Sequence, residues 1–234
     1  MALRSAGIGA LIVSLVAGMT SNLLFLAAFQ FRTDWFLEPT RILAAGPTSA
    51  KLLRWASVLD LVGYYLATAV LAYVLWRQLR PRNPLVADLS VIAAFGYALA
   101  GGAGAAVLAL VGPMLMLDHA GAAASDRAVI ESQFAILFEV VWRSIWQLLD
   151  AILVGAWWLG IGLLVRADQP GLSRLSLVLG TTAAIGAVPT IAGLDLVRDV
   201  VLGIVFTLWT GWWIWLLVLF RRHGGPVVGP TAGV

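Results

Sequence analysis

The sequence predicts an all-α fold, a polytopic bundle of six transmembrane helices. The chain has 234 residues, of which 61% are hydrophobic and 12% are charged, and its mean hydropathy is +0.95. Soluble domains carry about twice that share of charged residues, roughly 25%. Apolar segments of about 20 residues, the length that a bilayer requires, recur along the chain. Backbone groups in lipid must be satisfied within their own segment, so we expect these segments to be helices.

We expect one domain over residues 1–223, followed by a disordered tail over 224–234. The first apolar run exceeds the roughly 7–15 residues of a signal-peptide core, so we interpret it as a retained helix. The third span is overlong, and Pro113 with its neighbouring glycines is expected to bend it or to end it early. The predicted spans lie near 8–29, 56–76, 85–117, 145–165, 172–191 and 200–220.

Arginines predict the orientation of the bundle. They cluster at places that a six-span topology puts on one side, and by the positive-inside rule that side is cytoplasmic, together with both termini. The first loop on the opposite side, 30–55, is also basic, but Asp34 and Glu38 offset part of its charge. The arginines of the predicted cytoplasmic side are Arg4, Arg77, Arg80, Arg82, Arg166, Arg174, Arg221 and Arg222.

Composition also argues against several kinds of site. The chain has no Cys, which excludes disulfides and thiolate metal sites. His119 and His223 lie at opposite ends of different segments, so we expect no metal and no cofactor. The basic residues flank apolar segments, a pattern of membrane topology that does not indicate a nucleic-acid partner. No P-loop, nucleophile elbow, HExxH or dinucleotide motif occurs, so we assign no catalytic residue.

The stretch 131–166 carries the most informative charges. Asp150 lies within its apolar part, and at about 100° per residue Glu139, Arg143 and Asp150 are predicted to share one helix face. An ionisable group inside a membrane costs roughly 2.5–3.5 kcal/mol on insertion scales. We therefore expect other helices to cover that face.

Counting residues along the predicted helices places a second carboxyl, that of Asp60, at the same depth in the membrane as Asp150. The helical rise predicts Asp60 and Asp150 about 6–8 Å below the same surface, with Asn22 near them. One interpretation is a polar pocket open to the outside, with the two carboxyls as its floor and Arg54 and Arg143 as counter-ions. The alternative is that Arg54–Asp60 and Glu139–Arg143 are ion pairs that only fix helix register. The predicted ligand-binding residues are Asp60, Asp150, Arg54, Arg143, Glu139 and Asn22.

Two further patterns have structural interpretations. Gly101, Gly102 and Gly104 predict a small-residue face for close helix packing. A tryptophan-rich run near the end of the chain is predicted to contact lipid or a partner protein. Its members are Trp209, Trp212, Trp213 and Trp215.

Short motifs over residues 5–220 follow one another in a characteristic order. They are Arg41-Ile-Leu-Ala-Ala, Leu53-Arg54, Asp60-Leu61, Leu159-Gly160-Ile-Gly162-Leu-Leu-Val-Arg166, Leu172-Ser-Arg174 and Leu179-Gly180. In this order the chain resembles the bacterial six-helix membrane proteins grouped as a domain-of-unknown-function family, number four-three-eight-six. The resemblance implies the fold and a bacterial plasma-membrane location, and it implies no activity.

The leading hypothesis is a protein of the bacterial inner membrane that binds or moves a small solute or lipid through an extracytoplasmic-facing polar pocket. One alternative is a structural or accessory subunit that binds another membrane protein, or a second copy of itself, through its Trp- and Gly-rich surfaces. Another is an intramembrane lipid-modifying enzyme that uses paired carboxylates. The sequence favours the two non-enzymatic hypotheses, and we expect the bilayer itself as a partner.

Overall fold

The structure, a computed structural model, describes residues 2–36 and 38–226. It contains helices and, within these residues, no strand. Six helices are long and apolar enough to cross a membrane, which confirms the predicted all-α, multi-pass architecture. The predicted tail lies mostly outside the described residues, which end at Pro226.

The helices extend well beyond the predicted spans. Hydropathy marks only the part of a helix that suits lipid, and amphipathic ends continue the same helix into the interface. The second helix therefore begins at Gly46 and the fourth at Ala124, and the third does not end early at Pro113 but continues to Gly121. The bounds are α1 Ala2–Ala28, α2 46–79, α3 Pro84–Gly121, α4 Ala124–Leu164, α5 Pro170–Ala192 and α6 Asp195–His223.

Helix ends carry the expected local signals. Helices α2, α3 and α5 each have a proline in the first turn, where its missing N–H leaves no hydrogen bond unmade. The side chain of Asn83 caps α3 by accepting a hydrogen bond from the Val86 amide at 3.2 Å. Gly193 and Gly224 follow α5 and α6 with φ of 68° and 80°, the left-handed geometry that terminates helices and that glycine adopts without strain.

Three helices contain π-helical segments. They lie at Ser14–Gly18 in α1, Leu61–Leu66 in α2 and Glu139–Leu149 in α4. A π-helix bonds residue i to i+5, so it turns by less per residue than an α-helix and moves every later side chain to a different face.

The six helices form a ring. Each helix packs against the next in sequence, and α6 packs back against α1. The arginine-rich ends meet on one side: the Arg4 Nε donates to the Phe220 carbonyl at 3.0 Å, and Arg82 donates to the Leu164 carbonyl at 2.8 Å. We call this side, marked by Arg4, Arg82 and the end of α6, the basic end.

The loop between α1 and α2 folds over the other end. Its 3-10 segment Pro39–Ala45 buries Ile42 and Leu43. The predicted charge compensation is present, since Arg32 lies 3.1 Å from Asp34 and Arg41 lies 2.6 Å from Glu38. The hydrogen bond from Arg32 lowers the pKa of the Asp34 carboxyl below its usual value.

The tryptophan-rich run lies inside the bundle. Trp212 and Trp213 are fully buried and Trp209 is 6% exposed, whereas Trp215 is 40% exposed. The indole of Trp212 donates to the Ser176 hydroxyl at 2.8 Å, and its ring centroid lies 5.4 Å from that of Trp157. The predicted lipid or partner contact is therefore wrong for the first three members, because α6 turns them into the interior of the bundle.

Helices α4 and α5 cross at a pair of glycines. A β-carbon on Gly155 would lie 2.9 Å from the carbonyl oxygen of Gly180, and a β-carbon on Gly180 would lie 2.7 Å from that of Gly155. Both distances are shorter than any normal contact, so this crossing requires glycine on both helices.

We expect Gly180→Ala to lower the free energy of unfolding by about 1–3 kcal/mol, because the helices must separate to admit the methyl group. The measurement is unfolding in detergent micelles followed by circular dichroism. Gly203→Ala is the matched control, since a β-carbon there meets nothing within 4 Å and alanine favours the helix. Equal stability of the two variants would contradict this packing.

Candidate functional site

A cavity of about 130 Å³ lies inside the ring, and all six helices contribute to its walls. Along α6 it extends from Trp209 to Arg198, roughly 16 Å by the helical rise. The carboxyls of Asp60 and Asp150 lie about 20–30 Å along their helices from the basic end. The cavity therefore occupies the middle of the bundle and the part farther from the basic end.

Asp150 is held by one strong contact. Its side chain is buried, and the Tyr65 hydroxyl donates to its Oδ2 at 3.0 Å. A β-carbon on Gly101 would collide with both the Tyr65 ring and the Asp150 carboxyl. Gly101 on α3 thus leaves room for the contact between Tyr65 on α2 and Asp150 on α4. The small-residue face therefore shapes the site in addition to allowing close helix packing.

Asp60 lines the same cavity from α2. It is 8% exposed, and it shares the cavity with Asp150. Within the described residues, Asp60 Oδ2 and Asp150 Oδ1 have no hydrogen-bond partner. Two buried acidic groups therefore share one space, and each keeps an oxygen available for a ligand.

Asn22 also lines the cavity, as predicted from its depth. Its Nδ2 donates to the Tyr64 hydroxyl at 2.8 Å, which leaves its carbonyl oxygen as an acceptor. A β-carbon on Gly18 would lie 3.0 Å from the Tyr64 ring. The π-helical segment that ends at Gly18 therefore borders Tyr64 and the wall of the site.

The other three predicted site residues do not line the cavity. Arg54 is exposed and, among the described residues, forms no ion pair with Asp60. Arg143 Nε lies 3.3 Å from Glu139 Oε2, and Glu139 is exposed. Glu139 and Arg143 therefore form an ion pair with each other, as in the alternative interpretation in which such pairs only fix helix register. The predicted shared face is correct for Glu139 and Arg143. It is wrong for Asp150, because the π-helical segment reduces the rotation per residue and turns Asp150 toward the cavity.

Within the part of the chain that the structure describes, the cation that borders the cavity is Arg198. It is 4% exposed and its Nη2 lies 3.0 Å from Asp199 Oδ1. Arg198 was not among the predicted site residues, because α6 was expected to start near residue 200, which placed Arg198 in a loop. The helix begins at Asp195 instead, which brings Arg198 into its first turn.

Aromatic side chains, which sequence reasoning did not assign to a site, build most of the wall. On one side Tyr64 lies 5.1 Å from Trp209, and on the other Phe25 lies 6.0 Å from Trp146, measured between ring centroids. The indole of Trp146 donates to the Gly101 carbonyl at 3.1 Å. Their positions in the sequence could have predicted these residues. Tyr64 and Tyr65 lie about one helical turn after Asp60, and Trp146 and Gln147 lie about one turn before Asp150. The aromatic residues of the lining are Phe25, Tyr64, Tyr65, Tyr97, Trp142, Trp146, Phe206 and Trp209.

No protein-family model, no curated protein and no solved structure matches this chain. The resemblance to the six-helix family stays a prediction, and the case for function rests on the geometry above.

We expect Tyr65→Phe to lower the free energy of unfolding by about 1–3 kcal/mol, because it leaves a buried carboxyl oxygen of Asp150 without its donor. The control is Tyr73→Phe on the same helix, where the tyrosine is 44% exposed. Unfolding of the purified protein by increasing SDS in mixed micelles measures both. If the two substitutions cost the same, the hydrogen bond does not stabilise the site.

Proposed function

We propose that the chain binds a small solute in this cavity, and that it does so as a multi-pass protein of the bacterial inner membrane. The observation that carries the proposal is the pair Asp60 and Asp150. Both carboxyls are buried on separate helices, both line one cavity, and each has an unpartnered oxygen among the described residues. Ionisable groups inside membrane segments are costly, and they mark substrate or ion pathways.

The size of the cavity favours a solute over a whole lipid. An engineered cavity of about 150 Å³ in another protein accommodates benzene. A volume of about 130 Å³ therefore suits a molecule of that size or a lipid headgroup, and it is too small for a whole lipid. This also weighs against an enzyme that acts on the whole lipid from the same two carboxyls.

The accessory-subunit alternative loses most of the Trp- and Gly-rich surface on which it depended, of which Trp215 stays exposed. Trp212 and Trp213 are buried in the core. Gly101 is buried against Tyr65 and Asp150, and Gly155 and Gly180 are buried against each other. A partner protein or a second copy would have to use other faces of the bundle.

The proposed orientation places the basic end in the cytoplasm, since arginines near short loops are retained on that side. Because the cavity extends away from the basic end toward Arg198, the solute enters from the extracytoplasmic side in this proposal.

Single cysteines test the orientation, since the chain has none of its own. We expect a membrane-impermeant thiol reagent applied to intact cells to label Ala123→Cys, between α3 and α4. It should leave Ala167→Cys, at the basic end, unlabelled until the cells are broken. Both positions are exposed, so accessibility is matched. The reverse pattern would refute the orientation and leave the cavity itself unaffected.

Filling the cavity tests whether it binds a solute. Ala183 lines the cavity from α5, and Ile185 on the same helix is 60% exposed. A panel of small cations, anions and neutral molecules is screened for thermal stabilisation of the wild type, Ala183→Phe and Ile185→Phe. A ligand at about 100 times its Kd adds about 2.7 kcal/mol of stability. We expect at least one compound to stabilise the wild type and Ile185→Phe but not Ala183→Phe, and a panel without such a compound would refute the proposal.

A further inference from the structure

We propose that the ligand of the cavity is a compact organic cation, a small amine or quaternary ammonium compound. This inference rests on the proposed function, because it specifies the class of solute that the same site takes. Three features point to a cation: the balance of ionisable side chains, the kind of polar atom left without a partner, and the chemistry of the wall.

Among the ionisable side chains that line the cavity, acidic ones are in excess. Asp60 and Asp150 both contribute carboxyls. The single cationic side chain of the lining is Arg198, among the described residues, and its guanidinium already engages Asp199 at 3.0 Å. Arg54 and Arg143 do not line the cavity. A bound cation would therefore meet two carboxyls in a site of low dielectric, where an attraction between charges is stronger than in water.

The unpartnered polar atoms of the lining are mostly acceptors. Among the described residues these are the oxygens Asp60 Oδ2, Asp150 Oδ1 and Gln147 Oε1. Trp209 Nε1 is the unpartnered donor of the lining within the same residues. Each of the residues that bear these oxygens is more than nine-tenths buried. Buried polar atoms are normally hydrogen-bonded, so this set favours a ligand that brings donors or positive charge and does not favour one that brings further acceptors.

The walls have the chemistry of an aromatic cage. Tyr64, Phe206 and Trp209 cluster on one side, with ring centroids 5.1–6.4 Å apart. Phe25, Trp142 and Trp146 cluster on the other side, with centroids 5.4–6.3 Å apart. The face of an aromatic ring carries partial negative charge and attracts cations, and quaternary ammonium compounds are the usual ligands of such cages.

Size restricts the class further. A cavity of about 130 Å³ admits a cation about as large as benzene, by comparison with the engineered cavity of about 150 Å³. Trimethylammonium compounds such as choline are of that size. Inorganic cations are smaller and strongly hydrated, and they would leave most of the aromatic wall without contact.

The test compares molecules of one shape and different charge. The first probe is choline, and the second is neohexyl alcohol, in which carbon replaces the nitrogen of choline. The third is tert-butylacetate, the anion of 3,3-dimethylbutanoic acid, which carries a negative charge on a similar frame. Isothermal titration calorimetry on the purified full-length protein in detergent measures each affinity. We expect choline to bind at least about ten-fold more tightly than the neutral isostere, and tert-butylacetate to bind more weakly than both.

Variants test whether the carboxyls cause the difference in affinity between choline and neohexyl alcohol. We expect Asp150→Asn to weaken choline binding about ten-fold or more and to leave the affinity for neohexyl alcohol nearly unchanged. Glu131→Gln on the same helix is the matched control, because Glu131 is exposed and contacts His119 at 3.1 Å, outside the cavity. Asp60→Asn provides a second test if Asp150→Asn fails to fold. The comparison of probes on the wild type needs neither variant.

The outcomes separate this inference from the proposed function. Tight, carboxyl-dependent binding of choline supports both. If neohexyl alcohol or tert-butylacetate binds as well as choline and Ala183→Phe abolishes that binding, the cavity is a solute site but the cationic class is wrong. If no probe binds and the broader panel also fails to distinguish Ala183→Phe from Ile185→Phe, both the site and its class are refuted.

Discussion

One hydrogen bond, from the Tyr65 hydroxyl to the Asp150 carboxyl, joins α2 to α4 across the middle of the bundle. In lipid a buried carboxyl has no water to replace a missing partner, so protein atoms must surround it. The surrounding structure meets that requirement. Gly101 leaves the space for the contact, and Trp146 ties α4 to the backbone of α3 at the same residue. The site is thus built where three helices meet, and a change in any of them moves the carboxyl.

The π-helical segments explain how these side chains reach one place. Asp60 directly precedes Leu61–Leu66, Asp150 directly follows Glu139–Leu149, and Ser14–Gly18 ends beside Tyr64. Each segment changes the face on which the following residues lie, and such insertions are frequent at functional sites. In α4 this shift places the ionisable residues on two different faces. Glu139 and Arg143 pair near the surface, and Asp150 turns into the ring. A regular α-helix would have placed all three on one face.

This difference defines what could be predicted from the sequence. Six helices follow from hydropathy, because the length and apolarity of each span depend on composition alone. The depth of Asp60, Asp150 and Asn22 follows from counting residues along a helix, and these three residues do line the cavity. Rotation about each helix axis could not be predicted, since no composition rule signals a π-helical segment. For that reason Arg143 was predicted as a counter-ion of Asp150, and Trp209 was predicted to contact lipid or a partner although it lines the cavity. Arg198 was not predicted for a different reason, because α6 was expected to begin near residue 200 and begins at Asp195. Tertiary packing decides which face of an apolar helix is buried when every face is apolar.

The same packing constrains how a solute could move. Between the cavity and the basic end lies a cluster of buried indoles: Trp157, Trp158, Trp209, Trp212 and Trp213. Their ring centroids are 4.8–6.4 Å apart, a close aromatic packing that is worth about 0.5–1.5 kcal/mol per pair beyond the area it buries. A molecule in the cavity therefore has a packed aromatic floor beneath it. Transport to the basic end would require α6 to move away from α4 and to break several of these contacts together, whereas binding alone requires no such movement. A carrier built on this bundle would thus operate through α6, the helix that also supplies both Arg198 and Trp209 to the site.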